Sequence, residues 1–331
     1  MWVVSALVLA WLLIPEPLWA WGPGTHIALG ELVLGSLYLL PPAVRALLEA
    51  NPIHFLYGSV AADISFAKKY APEGRHCHHW HVGEEIFEMA GSERLESMAL
   101  GYLAHLAADT VAHNLYVPRQ LLLTSTTASI GHTYWEHRMD VHVGEDYLSK
   151  AQRIVFGNDH SEADALFDEV LSSTLFSFRT NRRLFRGMIQ VQGDDRWLQL
   201  FDRILRKSRF DVPDEMVQRY VALAYDSIID YLRNRHLSAP AGLDPIGDVN
   251  LRLAKKVRRM ALAKGASSEP ELLDEMAEEF FPWPEAPLVH WPRMREEELR
   301  TEVRRVRGPS PSPAGHSGPG ASSGPPDRNP R

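Results

Sequence analysis

A chain of 331 residues with 45% hydrophobic and 23% charged side chains can bury a substantial core, as one large domain or two smaller ones. Its formal net charge of −7 comes with no basic run long enough to suggest a nucleic-acid surface. Cys77 is the single cysteine, so no intramolecular disulfide can form, which by itself leaves the compartment open.

Taken in chain order, residues 3–15 are apolar apart from Ser5 and run into Glu16-Pro17-Leu18-Trp19-Ala20. That pattern reads as a secretory signal cleaved after Ala20, giving a secreted or periplasmic protein that begins at Trp21. The alternative is an uncleaved membrane anchor. A spanning helix needs about 20 apolar residues, and Pro15, Glu16 and Pro17 cut this stretch short. Beyond it, residues 25–50 carry apolar side chains at helical spacing with a break at Pro41-Pro42. Residues 93–117 form a long periodic segment expected to end at Pro118. Segments 132–151, 162–176, 212–235 and 249–264 are periodic in the same way. Residues 71–74 and 124–129 read as loops. No alternating strand pattern or internal repeat stands out, so the expected fold is all-α. From 308 to 331 the composition turns to Pro, Gly, Ser and Arg, which buries too little apolar surface to order a chain. The expected organisation is thus a signal at 1–20, a helical domain at 21–307 and a disordered tail at 308–331.

Histidine is concentrated unevenly: eleven of the fifteen lie between residues 21 and 142. His105, Asp109 and His113 stand at i, i+4 and i+8, and His132 and Glu136 at i and i+4. Each step of four brings a helical side chain back to within about 40° of its starting direction. Each set therefore points one way, and imidazole with carboxylate is a donor set zinc accepts. An aspartate in the apolar run from 101 to 113 is costly to bury unless it is paired or metal-bound. The bland alternative is a solvated helix face. Asp63 is a lone carboxylate in an apolar, small-residue setting, and a turn cap is its other explanation. The cluster His76-Cys77-His78-His79-Trp80-His81 supplies at least one ligand if metal binds here, but neighbours along it point in different directions. Cys77 reads as a bystander.

The ordered series Trp21…His26, Asp63, His79-Trp80, His105-x3-Asp109-x3-His113 and His132-x3-Glu136 resembles the zinc-dependent phospholipase C family, whose superfamily includes fungal single-strand nucleases. By motif the resemblance covers residues 21–150. It implies about three zinc ions in a helical domain. Trp21 would bind one through its α-amino group and carbonyl, with His26 beside it. Asp109 would bridge that ion to a second held by His79, His105 and Asp63, and His113, His132 and Glu136 would hold the third. The Asp109-to-His113 spacing is shorter than in bacterial phospholipases and the nucleases, and is more like the glycosylphosphatidylinositol-cleaving branch. Glu136 matches the phospholipase form where the nucleases have Asp.

The implied activity is hydrolysis of a glycerophospholipid phosphodiester by metal-activated water, with Asp63 also orienting or deprotonating that water. Phospholipid and a membrane surface would be its partners. Two alternatives are a secreted single-strand nuclease on the same metals, with nucleic acid as its partner, and a non-enzymatic metal-binding member.

Overall fold

The computed structural model describes residues 21–123, 129–208, 210–263, 265 and 269–296. The apolar leader at 1–20 and the tail at 308–331 lie outside these. The chain divides into residues 1–292 and 293–331, and of the second unit only 293–296 are described. The described residues are helical with no strand, so the all-α expectation holds. In chain order the helices are α1 (Pro23–Gly35), α2 (Pro42–Ala50), α3 (Pro52–Ala61), α4 (Trp80–Glu88) and α5 (Glu93–Val111). They continue with α6 (Val117–Leu123), α7 (Ser129–Val143), α8 (Glu145–Gly157), α9 (Ser161–Val170) and α10 (Phe178–Gln192). The last are α11 (Asp195–Lys207), α12 (Asp214–Asn234), α13 (Asp248–Ala263) and α14 (Pro270–Phe280).

The organising element is α5. Its N-terminus is fixed by Ser92, whose hydroxyl accepts from the Leu95 N–H, and Glu93 and Glu96 place negative charge in the first turn. From Ser97 to Val111 every residue is buried. A helix apolar on all sides belongs inside the protein, and α3, α4 and α12 pack around this one. The α3–α5 crossing is unusually close. A Cβ on Gly58 would lie 1.9 Å from the Met98 carbonyl oxygen, and one on Gly101 would lie 2.0 Å from that of Phe55. The two backbones therefore touch where each helix lacks a side chain.

Sequence boundaries shift at several points: α1 already ends at Gly35, ahead of the break expected at Pro41-Pro42, and α9 ends at Val170 rather than 176. The segment expected to end at Pro118 instead passes through a π-turn, Ala112–Tyr116, into α6, with Pro118 near the start of the new helix. There the missing N–H of proline costs nothing, and the wider turn absorbs the change of register. The stretch 132–151 is interrupted at Gly144, whose φ of 122° lies outside helical geometry, so α7 and α8 are separate. Among the described residues, no helix is long and apolar enough to cross a membrane.

Candidate metal centre

Burial in α5 decides between the two readings of its polar residues. Asp109 is 0% exposed and His105 1%, so this is no solvated face. The His105 Nδ1–H donates to the Ser59 carbonyl at 2.8 Å, across the close crossing of α3 and α5. That carbonyl is among the last of α3, which the helix itself leaves unpaired. With Nδ1 carrying the proton, the Nε2 lone pair faces the interior. His113, on the π-turn, is fixed the same way, its Nδ1–H donating to the Pro245 carbonyl at 2.6 Å. An imidazole anchored through one nitrogen to a carbonyl is the usual support of a metal-binding histidine.

Around His105 Nε2 the other donors converge. His78 Nε2 is 3.0 Å away, Asp109 Oδ2 3.1 Å and Asp63 Oδ2 3.9 Å. His78 Nε2 also lies 3.2 Å from Asp109 Oδ2 and 3.3 Å from Asp63 Oδ1. The other oxygen of Asp109, Oδ1, faces His26 Nε2 at 3.5 Å, and the His26 ring stacks on that of His105 with centroids 3.8 Å apart. Asp109 thus presents one oxygen to each of two donor groups, as a bridging carboxylate must. Neither carboxylate oxygen of Asp109 nor His26 Nε2 has a hydrogen-bond partner, although all are buried. Orphaned buried acceptors facing one another are costly, and a shared cation removes that cost. The residues present therefore fit metal ions at this point.

The electrostatics agree. Burial lowers His26 to a pKa of about 3, which keeps it neutral and able to donate a lone pair. Burial would raise the carboxyl group of Asp63. The Lys68 ammonium outweighs it for Asp63, whose carboxyl is held below the usual carboxylate range. Glu136 behaves oppositely: burial, with Asp63 second, pushes its pKa well up.

At the histidine cluster it is His78, and not the expected His79, whose side chain meets the other donors. His79 caps the start of α4, is only half-buried, and stacks against His81 with centroids 5.2 Å apart. His78 points inward instead. The Cys77 carbonyl accepts from the Tyr102 hydroxyl of α5 at 2.5 Å. On the other side Trp80 stacks on Tyr231 at 4.2 Å and donates its indole N–H to the Leu243 carbonyl. Pinned on both flanks, the turn at residues 76–79, closed by the His79 N–H on the His76 carbonyl at 2.9 Å, directs His78 toward His105. Cys77 is buried with Sγ 3.2 Å from His78 Nδ1, and His76, Cys77 and His78 bring a donor atom each within 4.8 Å of one another.

The remaining sequence candidates fall around this core. Trp21 is buried, donates its indole N–H to the Ala108 carbonyl at 3.1 Å and stacks on Tyr116, which places it beside Asp109. His113 and Glu136 are buried close enough for their charges to bear on Asp109. His132 lies on α7, and its side chain is outside those described. Two functional neighbours escaped the sequence reading. Asp140, one turn past Glu136, accepts from Thr25 N–H at 2.8 Å, Thr25 Oγ1 at 2.7 Å and Gly24 N–H at 3.3 Å. A Cβ on Gly22 would sit 2.0 Å from its Oδ2, so the chain around residues 22–25 is wrapped on this carboxylate. The i, i+4 spacing from Glu136 was a usable signal. Lys68 gave none: its Nζ lies 2.5 Å from Asp63 Oδ1 with only 3% of the residue exposed.

Buried His and Asp side chains that converge within metal-binding distance at the centre of a helical protein define a candidate metal centre. Residues 25–177, which hold Asp63, His78, His105, Asp109 and Glu136, match the family model of zinc dependent phospholipase C. No curated protein and no solved structure matches the chain.

Proposed function

We propose that the protein is a phospholipase C that hydrolyses glycerophospholipid phosphodiesters. The observation carrying this reading is Asp109, buried with one oxygen toward His26 and the other toward His78 and His105, inside the region of family similarity. In the proposed site His26 and Asp109 take part in holding one zinc, and Asp63, His78, His105 and Asp109 a second. His113, His132 and Glu136 supply a third. Bound zinc lowers the pKa of a coordinated water and neutralises phosphoryl charge. The chain's own part is to hold the donors rigid and dry: His105 through Ser59, His113 through Pro245, and the His26 helix through Asp140. Asp63 is suited to ligation and orientation. Its pairing with Lys68 lowers its basicity, so proton abstraction is the weaker of its two expected roles.

Export completes the reading. Cleavage after Ala20 would free the α-amino group of Trp21, and an α-amino group, with a reference pKa of about 7.7–8.0, yields its proton to zinc near neutral pH. A chain beginning at Trp21 should then bind one more zinc than a chain that retains an added Met, and equal zinc in both would leave Trp21 a packing residue.

The activity is tested on the purified protein with phosphatidylcholine, phosphatidylinositol and single-stranded DNA as substrates, each with and without chelator. Release of a phosphorylated head group, abolished by chelator and restored by zinc, is the expected result. Full activity in metal-free protein ends the reading, and cleavage of DNA alone transfers the site to the nuclease alternative.

A further inference from the structure

Lys68 offers no donor of the kind zinc takes from the surrounding residues, yet its ammonium lies inside the cluster. Nζ is 2.5 Å from Asp63 Oδ1 and 3.4 Å from His78 Nε2. An ammonium is costly to remove from water and stays buried only where a counter-charge holds it. The turn that delivers it is itself strained and clamped. Ala67, immediately before, takes the left-handed conformation with φ 56°, which a non-glycine residue adopts at a cost. The Phe66 N–H donates to Asn181 Oδ1 at 3.1 Å, and the Phe66 carbonyl accepts from Thr174 Oγ1 at 2.6 Å. A strained turn tied down at both polar groups, with a buried cation at its end, fixes Lys68 against Asp63.

We propose that Lys68 is a built-in competitor for zinc: its ammonium and the metal held by His78, His105 and Asp109 draw on the same Asp63 carboxylate. This rests on the reading that those four residues form a zinc site. Asp63 has Oδ1 on the ammonium and Oδ2 toward His105, so the ion beside His105 receives a carboxylate already half-neutralised. Two cations a few ångströms apart in a dry interior repel strongly. The zinc beside Asp63 is therefore the weakest-held ion of the centre and the one that exchanges. The group formed by His26 and Asp109 Oδ1 lies on the other side of the bridging carboxylate and is spared.

The test needs no substrate. Metal-stripped full-length protein is titrated with zinc against a chromophoric chelator, as wild type and as Lys68→Met. The variant should bind the same number of ions, with one of them about tenfold tighter or more. Lys68→Gln, whose amide can still donate to Asp63 without the charge, should show the same gain even if Lys68→Met folds poorly. Lys68→Arg, which keeps the charge, should bind zinc as the wild type does. If no ion tightens in the Met and Gln variants, or if all of them loosen together, Lys68 only supports Asp63 and the proposal is wrong. Absence of zinc binding in wild type and variants alike overturns the underlying metal reading as well. Binding regained only in the Met and Gln variants supports the competition in its strongest form.

Discussion

Replacing Gly101 by Ala tests whether the close crossing of α3 and α5 builds the metal centre. The added Cβ would lie 2.0 Å from the Phe55 carbonyl oxygen, where ordinary contact begins near 3.4 Å. Both partners are helix backbone, so relief comes only by moving the helices apart by more than an ångström. Overpacking of this kind costs about 1–3 kcal/mol. The His105–Ser59 hydrogen bond spans the same crossing, and its loss adds about 1 kcal/mol. Against these stands a gain of about 1 kcal/mol from alanine's better helix propensity. The balance is a destabilisation of about 1–3 kcal/mol, read as a Tm lower by several degrees for a domain of this size. Asp63 follows α3, whereas His105 and Asp109 ride on α5, so the same movement spreads one donor set. Metal sites tolerate only a few tenths of an ångström, and bound zinc should fall by at least one ion. Thermal unfolding by circular dichroism, paired with elemental analysis, reads both effects. A variant about 1 kcal/mol more stable than wild type, with its zinc intact, is what helix propensity alone dictates, and it would refute the crossing as the source of the site.

Asp109→Asn should lose at least one zinc and nearly all hydrolysis, more than any single histidine replacement, because both its oxygens face donor groups. Full zinc content and activity in that variant would remove its bridging role. Asp140→Ala should cost about 1–3 kcal/mol in urea unfolding, since Gly24 and Thr25 lose their acceptor. Asp140→Asn, keeping one amide oxygen, should recover part of that loss, and equal stability of Ala and Asn variants would count against the anchoring. Burial holds His137 at a pKa of about 4, against 6.5 when exposed. Between these values the unfolded chain binds more protons, so the stability is whole above pH 6.5 and is lost as pH falls towards 4, by about 3 kcal/mol. Denaturation of metal-stripped protein at pH 7.5 and 4.5 should show that much smaller a pH loss in His137→Gln, and an identical loss in both proteins would show that His137 does not drive it.

Much of the site was legible without coordinates because helical periodicity is local. His105 and Asp109 share a face by spacing alone, and the apolar residues between them announce that the face is buried. The helices α12 and α13 appeared at nearly their observed bounds for the same reason. The helices α4, α10 and α11 went unrecognised although their apolar residues recur just as regularly. Pro118 misled as a terminator because the π-turn before it is a tertiary accommodation that no local rule anticipates. That His78 rather than His79 faces the other donors was beyond the sequence, since two adjacent histidines differ only in which side of the turn at 76–79 faces α5. That side is set by Tyr102 gripping the Cys77 carbonyl and by Trp80 lying on Tyr231. Lys68 shows the limit most plainly. A lysine beside another lysine reads as solvated surface, and only the fold turns the chain at Ala67, ties Phe66 to Asn181 and Thr174, and sets the ammonium on Asp63. Periodic spacing determined which residues could meet; the packing of distant helices decided which of them did, because burial and charge pairing act between segments far apart in the chain.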